Sequence, residues 1–228
     1  MKFAMILAAG EGRRMRPLTD TTPKPLIKVA QKTLLERHIE ALVNAGFTDL
    51  VINASYRADQ LAAFCGDGRQ WGCRIHLSME DTPLETAGGI RKALPLLKEE
   101  VFAVVNGDIF TNFPLSHLAD TKLGNDLAHL VMVPNPAHHP KGDFGLNAGR
   151  VVASESSKLT FSGLSVMSHR LFDDLDTEYA PLRPVFDRAI ASKRVSGELW
   201  PGVWSDVGTP ERLSELECLL SGEGREGT

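Results

Sequence analysis

Cysteine is scarce in this sequence: Cys65, Cys73 and Cys218 are the only three in 228 residues, with no Cys-x-x-Cys pair and one thiol left over from any pairing. That pattern excludes a disulfide framework and suits a reducing compartment. An excess of positive charge is also missing, since 25 Lys and Arg stand against 29 Asp and Glu for a net charge of −4, which argues against a globally basic nucleic-acid binder. No apolar run has membrane length. The one near the start, residues 3–9, carries no signal-peptide cleavage pattern and reads as a buried strand. A cytoplasmic protein with neither nucleic-acid nor membrane partners is therefore expected. Internal repeats are absent too, including the hexapeptide pattern of a left-handed β-helix, and no linker-like stretch divides the chain. With 43% hydrophobic residues to build a core, a single domain over 1–228 is expected.

What the sequence does have is alternation. Residues 2–9, 48–55, 73–79, 101–106 and 128–134 read as strands, and residues 33–46, 57–65, 85–97 and 114–122 between them read as helices. Thr33 and Glu36 are spaced as a capping box, and Gly46 stands where a C-terminal cap belongs. Such a rhythm predicts βαβ crossovers and a Rossmann-like three-layer α/β/α fold with a mostly parallel central sheet. After Pro134 the rhythm changes to a turn-rich loop, strands around 150–153 and 159–167, helices around 169–175 and 181–192, and a strand near 198–205. A last helix runs to about residue 220 from Thr209 as N-cap with Pro210 in the first helical position, followed by a frayed polar tail, 221–228.

The first strand ends in Ala8-Ala9-Gly10-Glu11-Gly12-Arg13-Arg14. A glycine-rich turn after a strand clusters backbone N–H groups on one spot, which suits phosphate oxygens, and Arg14 can fork two of them. Arg13, Arg14, Arg16, Lys24, Lys28, Lys32 and Arg37 give this region a positive strip on an acidic protein, which fits a small polyanion or simply a solvated face. The turn is not a P-loop, because no Lys-Ser or Lys-Thr follows at the required distance. Nor is it the dinucleotide fingerprint, because Met15 stands where the third glycine belongs and Pro17 and Pro23 imply an extended loop; this removes an NAD-dependent oxidoreductase. Two carboxylates, Asp108 in Asn106-Gly107-Asp108 and Asp206 in Ser205-Asp206-Val207-Gly208, each follow a strand. In open α/β sheets that edge carries the ligand site. Each alone also reads as a turn or cap residue; together they describe a Mg²⁺ site of carboxylates plus substrate phosphates.

The run Leu7-Ala8-Ala9-Gly10-x-Gly12-x-Arg14-Met15-x-Pro17-Leu18-Thr19, closed by Pro23-Lys24-Pro25-Leu26, resembles the signature of the sugar-nucleotide pyrophosphorylases, a nucleotidyltransferase family with a GT-A-like fold. The resemblance covers nearly the whole chain. It implies an NTP-binding half, 1–134, and a sugar-phosphate-binding half, 135–208. Asp108 and Asp206 would be the Mg²⁺ ligands, and Arg14 and Lys24 the catalytic residues. The reaction implied is attack by a sugar 1-phosphate on the α-phosphorus of an NTP, with pyrophosphate as the second product. By the same resemblance Leu7, Ala8, Ala9, Gly10, Gly12, Arg13, Glu80, Pro83, Thr86, Gly88 and Asn106 bind the nucleotide, and Asp143, Gly145, Thr160, Ser162 and Gly163 the sugar. The segments 135–144 and 159–163 are similar to a short uridylyl-transferring subgroup, which implies UTP and N-acetylmuramate 1-phosphate in cell-wall sugar recycling. Pro83 stands where many relatives carry Gln, so guanylyl transfer to mannose or heptose 1-phosphate stays open as an alternative, as does a nucleotide-sugar binder without chemistry. His138 and His139 read as a substrate- or solvent-facing loop rather than a metal pair, because adjacent side chains point apart.

Overall fold

Phe3 and Met5 point to one side of the first strand and Ala4 and Ile6 to the other, and all four are buried. A continuous apolar run thus becomes a strand covered on both faces. The computed structural model describes residues 1–154 and 156–221. Strand β1 (Phe3–Leu7) leads through three short 3-10 turns to a small ribbon, β2 (Lys28–Val29) with β3 (Lys32–Thr33). Then come α1 (Leu34–Asn44), β4 (Asp49–Ala54), α2 (Ala58–Cys65), β5 (Arg74–Met79), α3 (Glu85–Ala93), β6 (Val101–Asn106), β7 (Ile109–Thr111), α4 (Ser116–Asp120) and β8 (Ala128–Val133). The remainder forms β9 (Phe144–Asn147), β10 (Arg150–Val152), β11 (Lys158–Ser168), α5 (Leu182–Ala191), β12 (Val195–Leu199), β13 (Trp204–Asp206) and α6 (Pro210–Ser221).

Nine of these strands make one sheet in the order β5-β4-β1-β6-β11-β8-β12-β10-β9. The pairings β5–β4, β4–β1, β1–β6 and β8–β12 are parallel. Strand β11 runs against β6, β8 and β9, and β10 against β12 and β9, so the sheet is mixed in its second part. Alternate residues of β1, β4 and β6 feed two cores. One lies under α3 and α5 and holds Met5, Val51, Val104, Ile90 and Phe186; the other lies under α1, α2 and α4 and holds Ile6, Ile52, Val105, Ile39 and Leu118. This is the three-layer α/β/α arrangement. A third, smaller cluster of Met15, Ile27, Val29, Leu34, Val207, Leu213 and Leu216 packs α6 against the loop after β1.

The capping box of α1 is present, with the Glu36 amide donating to Thr33 Oγ1 over 3.0 Å and the Thr33 amide to Glu36 Oε2 over 3.4 Å. At the other end Gly46 takes φ +94°, and the amides of Gly46 and Phe47 donate to the carbonyls of Val43 and Leu42, a Schellman close. Several expectations needed correction. The helix expected at 169–175 is a single 3-10 turn, His169–Phe172. The strand expected near 198–205 splits at Pro201-Gly202 into β12 in the main sheet and β13 in a separate ribbon with β7. Strands β7 and β9 carry too few alternating apolar residues to have been foreseen. Helix α6 takes in Ser221, and the rest of the expected frayed tail, 222–228, lies outside the described residues.

Candidate active site

Register fixes the site. Leu7 at the end of β1 stands level with Asn53, next to last in β4, and with Asn106 at the end of β6. Three strand ends at one level, all pointing the same way, define the carboxyl edge where open α/β sheets hold ligands. Gly107 lets the two segments close up there: a Cβ on it would stand 2.6 Å from the Leu7 carbonyl oxygen, which its own amide meets over 2.9 Å. Asp108 is thereby brought against the loop that follows β1.

That loop is folded by Gly12, whose φ is +66° and whose missing Cβ leaves room for Thr19 and Lys24. Thr19 Oγ1 donates to the Gly12 carbonyl over 2.9 Å, and Met15 is buried beneath. The expected extended loop is therefore a compact series of 3-10 turns that delivers Lys24 back to the strand ends. Nothing stands within 4 Å of the position a Cβ would take on Gly10, so that face is open to the cleft. The amides of Ala9, Gly10, Glu11 and Gly12 have no acceptor among the described residues. The Leu7 carbonyl and the Ala8 amide, in contrast, are already engaged by Gly107 and by Asn53 Oδ1 at 2.8 Å. These two bonds tie the strand ends together at the floor of the cleft, which Leu7 and Ala8 both line.

The cleft has a volume of about 420 Å³. Of the residues expected to bind or act, Leu7, Ala8, Ala9, Gly10, Gly12, Arg13, Arg14, Lys24, Glu80, Pro83, Thr86, Asn106 and Asp108 line it. Lys24, almost buried, places Nζ 2.5 Å from Asp108 Oδ2. Arg13 is exposed and paired with Glu11, and Arg16 is paired with Asp20, whereas Arg14 has no acidic partner among the described residues. Glu80 is buried at the far wall, where Asn53 Nδ2 donates to Oε1 over 2.7 Å and the Leu84 amide to Oε2 over 3.3 Å. Gly89 lies directly under this pair.

Gly88 lies elsewhere. A Cβ on it would meet the Glu178 carbonyl, so its smallness serves the packing of α3 against the segment before α5. None of the five expected sugar contacts lines the cleft. Asp143 meets the Phe161 amide and His139, Thr160 donates to Asn135, and the Ser162 hydroxyl accepts from the Leu164 amide. Gly145 packs against Ser154 and Val152, and Gly163, at φ +84°, makes room for the Asn106 side chain. These residues brace the loop and strand beside the cleft. Asn53, Leu84, Glu85, Gly107 and Gly208 line the cleft without having been foreseen. The signal for Asn53 was available, since it closes the apolar run Leu50-Val51-Ile52 of β4 as Asn106 closes that of β6.

Asp206 reaches the site through the β13–β7 ribbon, in which it pairs with Ile109, and the Val207 amide donates to the Asp108 carbonyl over 2.7 Å. His138 Nε2 lies 2.9 Å from Asp206 Oδ1, yet the alignment is not that of a hydrogen bond and Oδ1 stays buried without one. No group of three or more His, Cys, Asp or Glu able to hold a metal occurs among the described residues. Two carboxylates with one unsatisfied buried oxygen do fit a hard divalent ion that takes its remaining ligands from phosphate and water.

A family model described as Nucleotidyl transferase matches residues 3–159, which span the loop, Lys24, Glu80 and Asp108. The chain belongs to the nucleotidyltransferase family. It is 46% identical over 224 residues, 95% of this chain and 97% of the relative, to N-acetylmuramate alpha-1-phosphate uridylyltransferase of Neisseria meningitidis serogroup B. To the protein of that name in Caulobacter vibrioides it is 32% identical, over 96% of this chain and 97% of the relative. The crystal structure of a putative glucose-1-phosphate thymidylyltransferase from Bacillus anthracis superposes with a TM-score of 0.86 over 99% of this chain and 96% of that one; at 16% identity that likeness speaks to the fold alone. As a nucleotidyltransferase the protein is an enzyme. The family's substrates are a nucleotide and a sugar 1-phosphate, and it generally uses a divalent metal. Among the described residues no helix is long and apolar enough to cross a membrane.

Proposed function

We propose that this nucleotidyltransferase moves the uridylyl group of UTP onto N-acetylmuramate 1-phosphate, with Mg²⁺, in the cytoplasm, as a step of cell-wall sugar recycling. The observation that carries the chemistry is the convergence of Ala9, Gly10 and Gly12, whose amides have no acceptor among the described residues, with Arg14, Lys24 and Asp108 on one cleft. The choice of substrates is supported by the near-full-length similarity to two uridylyltransferases of that name. The chain would act as one domain, with residues 1–134 serving the nucleotide and 135–208 flanking the acceptor.

The loop amides and Arg14 hold the phosphates of UTP, fixing the α-phosphorus before the acceptor arrives. Glu80, Asn53 and Pro83 form the wall beside the base. Asp108 and Asp206 would hold Mg²⁺, which supplies positive charge to the reacting phosphates. Lys24 brings its ammonium to the α-phosphate, where charge rises as the acceptor oxygen attacks and the bond to pyrophosphate breaks. A phosphate monoester is already anionic, so no side chain has to remove a proton from it.

The test is a pyrophosphate-release assay with UTP, N-acetylmuramate 1-phosphate and Mg²⁺, run beside GTP with mannose or heptose 1-phosphate. Equimolar UDP-sugar and pyrophosphate from the first pair is the expected result. Preference for the guanylyl pair, or no release from any pair, would overturn the reading.

A further inference from the structure

Arg212 sits in the first turn of α6 with its side chain only 11% exposed. Its outer nitrogen Nη2 lies 3.2 Å from Asp206 Oδ2, an ion-pair distance without hydrogen-bond alignment. Both Nε and Nη2 are buried with no hydrogen-bond partner among the described residues. A guanidinium taken out of water with donors unused is destabilising unless something completes it.

Gly208 shows where it points. This glycine lines the cleft, and a Cβ built on it would stand 2.0 Å from Arg212 Nη2 and 3.3 Å from Arg14 Nη2. Two guanidinium groups, one from the loop after β1 and one from α6, thus converge on the space that a side chain at 208 would fill. Among the described residues Asp206 is the carboxylate within ion-pair distance of Arg212, and its own Oδ1 lacks a hydrogen bond. Like charges brought this close call for an anion that both can fork.

We propose that Arg212 acts with Arg14 as a second guanidinium for the phosphates of the nucleotide that leave as pyrophosphate, and that residue 208 is glycine so that both can reach them. Pyrophosphate suits the pair better than the acceptor does, because it carries more charge than a monoester and lies on the side of the glycine-rich loop. Arg212 lies outside the loop signature and is supplied by the C-terminal helix. The proposal rests on the nucleotidyl-transfer reading above.

The experiment is calorimetric titration of the intact protein with pyrophosphate and, separately, with uridine 5′-monophosphate, both with Mg²⁺ and without acceptor sugar. Arg212→Gln is expected to weaken pyrophosphate binding about tenfold or more and to leave the monophosphate within threefold. Arg212→Lys should recover part of the loss, since lysine keeps the charge but not the fork. Gly208→Ala should weaken pyrophosphate in the same selective way. Unchanged pyrophosphate affinity in Arg212→Gln, or equal weakening of both ligands, would overturn the proposal and leave Arg212 as a structural partner of Asp206; so would a native protein that does not bind pyrophosphate. Selective loss in a protein that fails to transfer uridylyl groups would keep this proposal and sink the substrate assignment instead.

Discussion

Lys24 enters the cleft from the third 3-10 turn after β1, with its stem packed where a Cβ on Gly12 would go and its ammonium on Asp108. A charge held that firmly before substrate arrives needs no reorganisation when negative charge develops at the α-phosphate, which is the condition for transition-state stabilisation. Lys24→Ala is accordingly expected to lower kcat by about 10²-fold or more while KM for UTP moves only a few-fold. Steady-state kinetics check this; equal losses in kcat/KM and in UTP binding would make Lys24 a ground-state anchor. The loop signature made Arg14 and Lys24 legible in the sequence because it is local. Arg212 and His138 were not legible, because nothing within either segment says that it will meet Asp206.

Helix α1 depends on its ends more than on its length. Its capping box fixes the chain where the β2–β3 ribbon turns into the helix, beside the residues that join the loop to α6. Thr33→Ala removes one partner of the box and is expected to cost about 1 kcal/mol. In a chain of this size that corresponds to a fall in Tm of roughly 2–4 °C, read by thermal unfolding, with activity at 25 °C retained. Both caps of α1, the start of α6 and the strands β1, β4, β5, β6 and β8 follow from periodicity and turn chemistry. Strand β7 does not, since its three residues pair only because β13 lies beside them.

Across the whole molecule, the second layer of helices covers a titratable group that water does not reach. Burial pushes His38 down to about 4, against the opposing pull of the Asp108 charge and a hydrogen bond to the Ile109 backbone. An unfolded histidine titrates near 6.5, so between those values the unfolded chain takes up the proton that the folded one refuses. Stability should be complete above pH 6.5 and fall by about 3 kcal/mol as pH drops toward 4. Asp49 acts lower on the scale: burial alone would raise it, but the Arg74, Thr48 and His76 hydrogen bonds prevail and hold it at about 2. Its contribution therefore survives until the pH falls below about 4. Urea unfolding at stepped pH checks the first effect, and His38→Gln should flatten the decline between 6.5 and 4. An unchanged slope in that variant would assign the decline to other groups.

The sequence by itself determined the alternation of β1, β4, β5, β6 and β8 with α1 to α4, the phosphate-facing loop and the strand end that carries Asn106 and leads to Asp108, because periodicity, caps and glycine turns are written within a few consecutive residues. Only the tertiary structure decided that β11 runs against its neighbours, that residues 143–145 and 160–163 lie beside the nucleotide-side cleft and not in its lining, and that Asp206, Arg212 and Gly208 gather beside Asp108 and Arg14. Those outcomes depend on which distant segments pack together. That choice is made by the two cores and the small cluster under α6, and no local pattern encodes it.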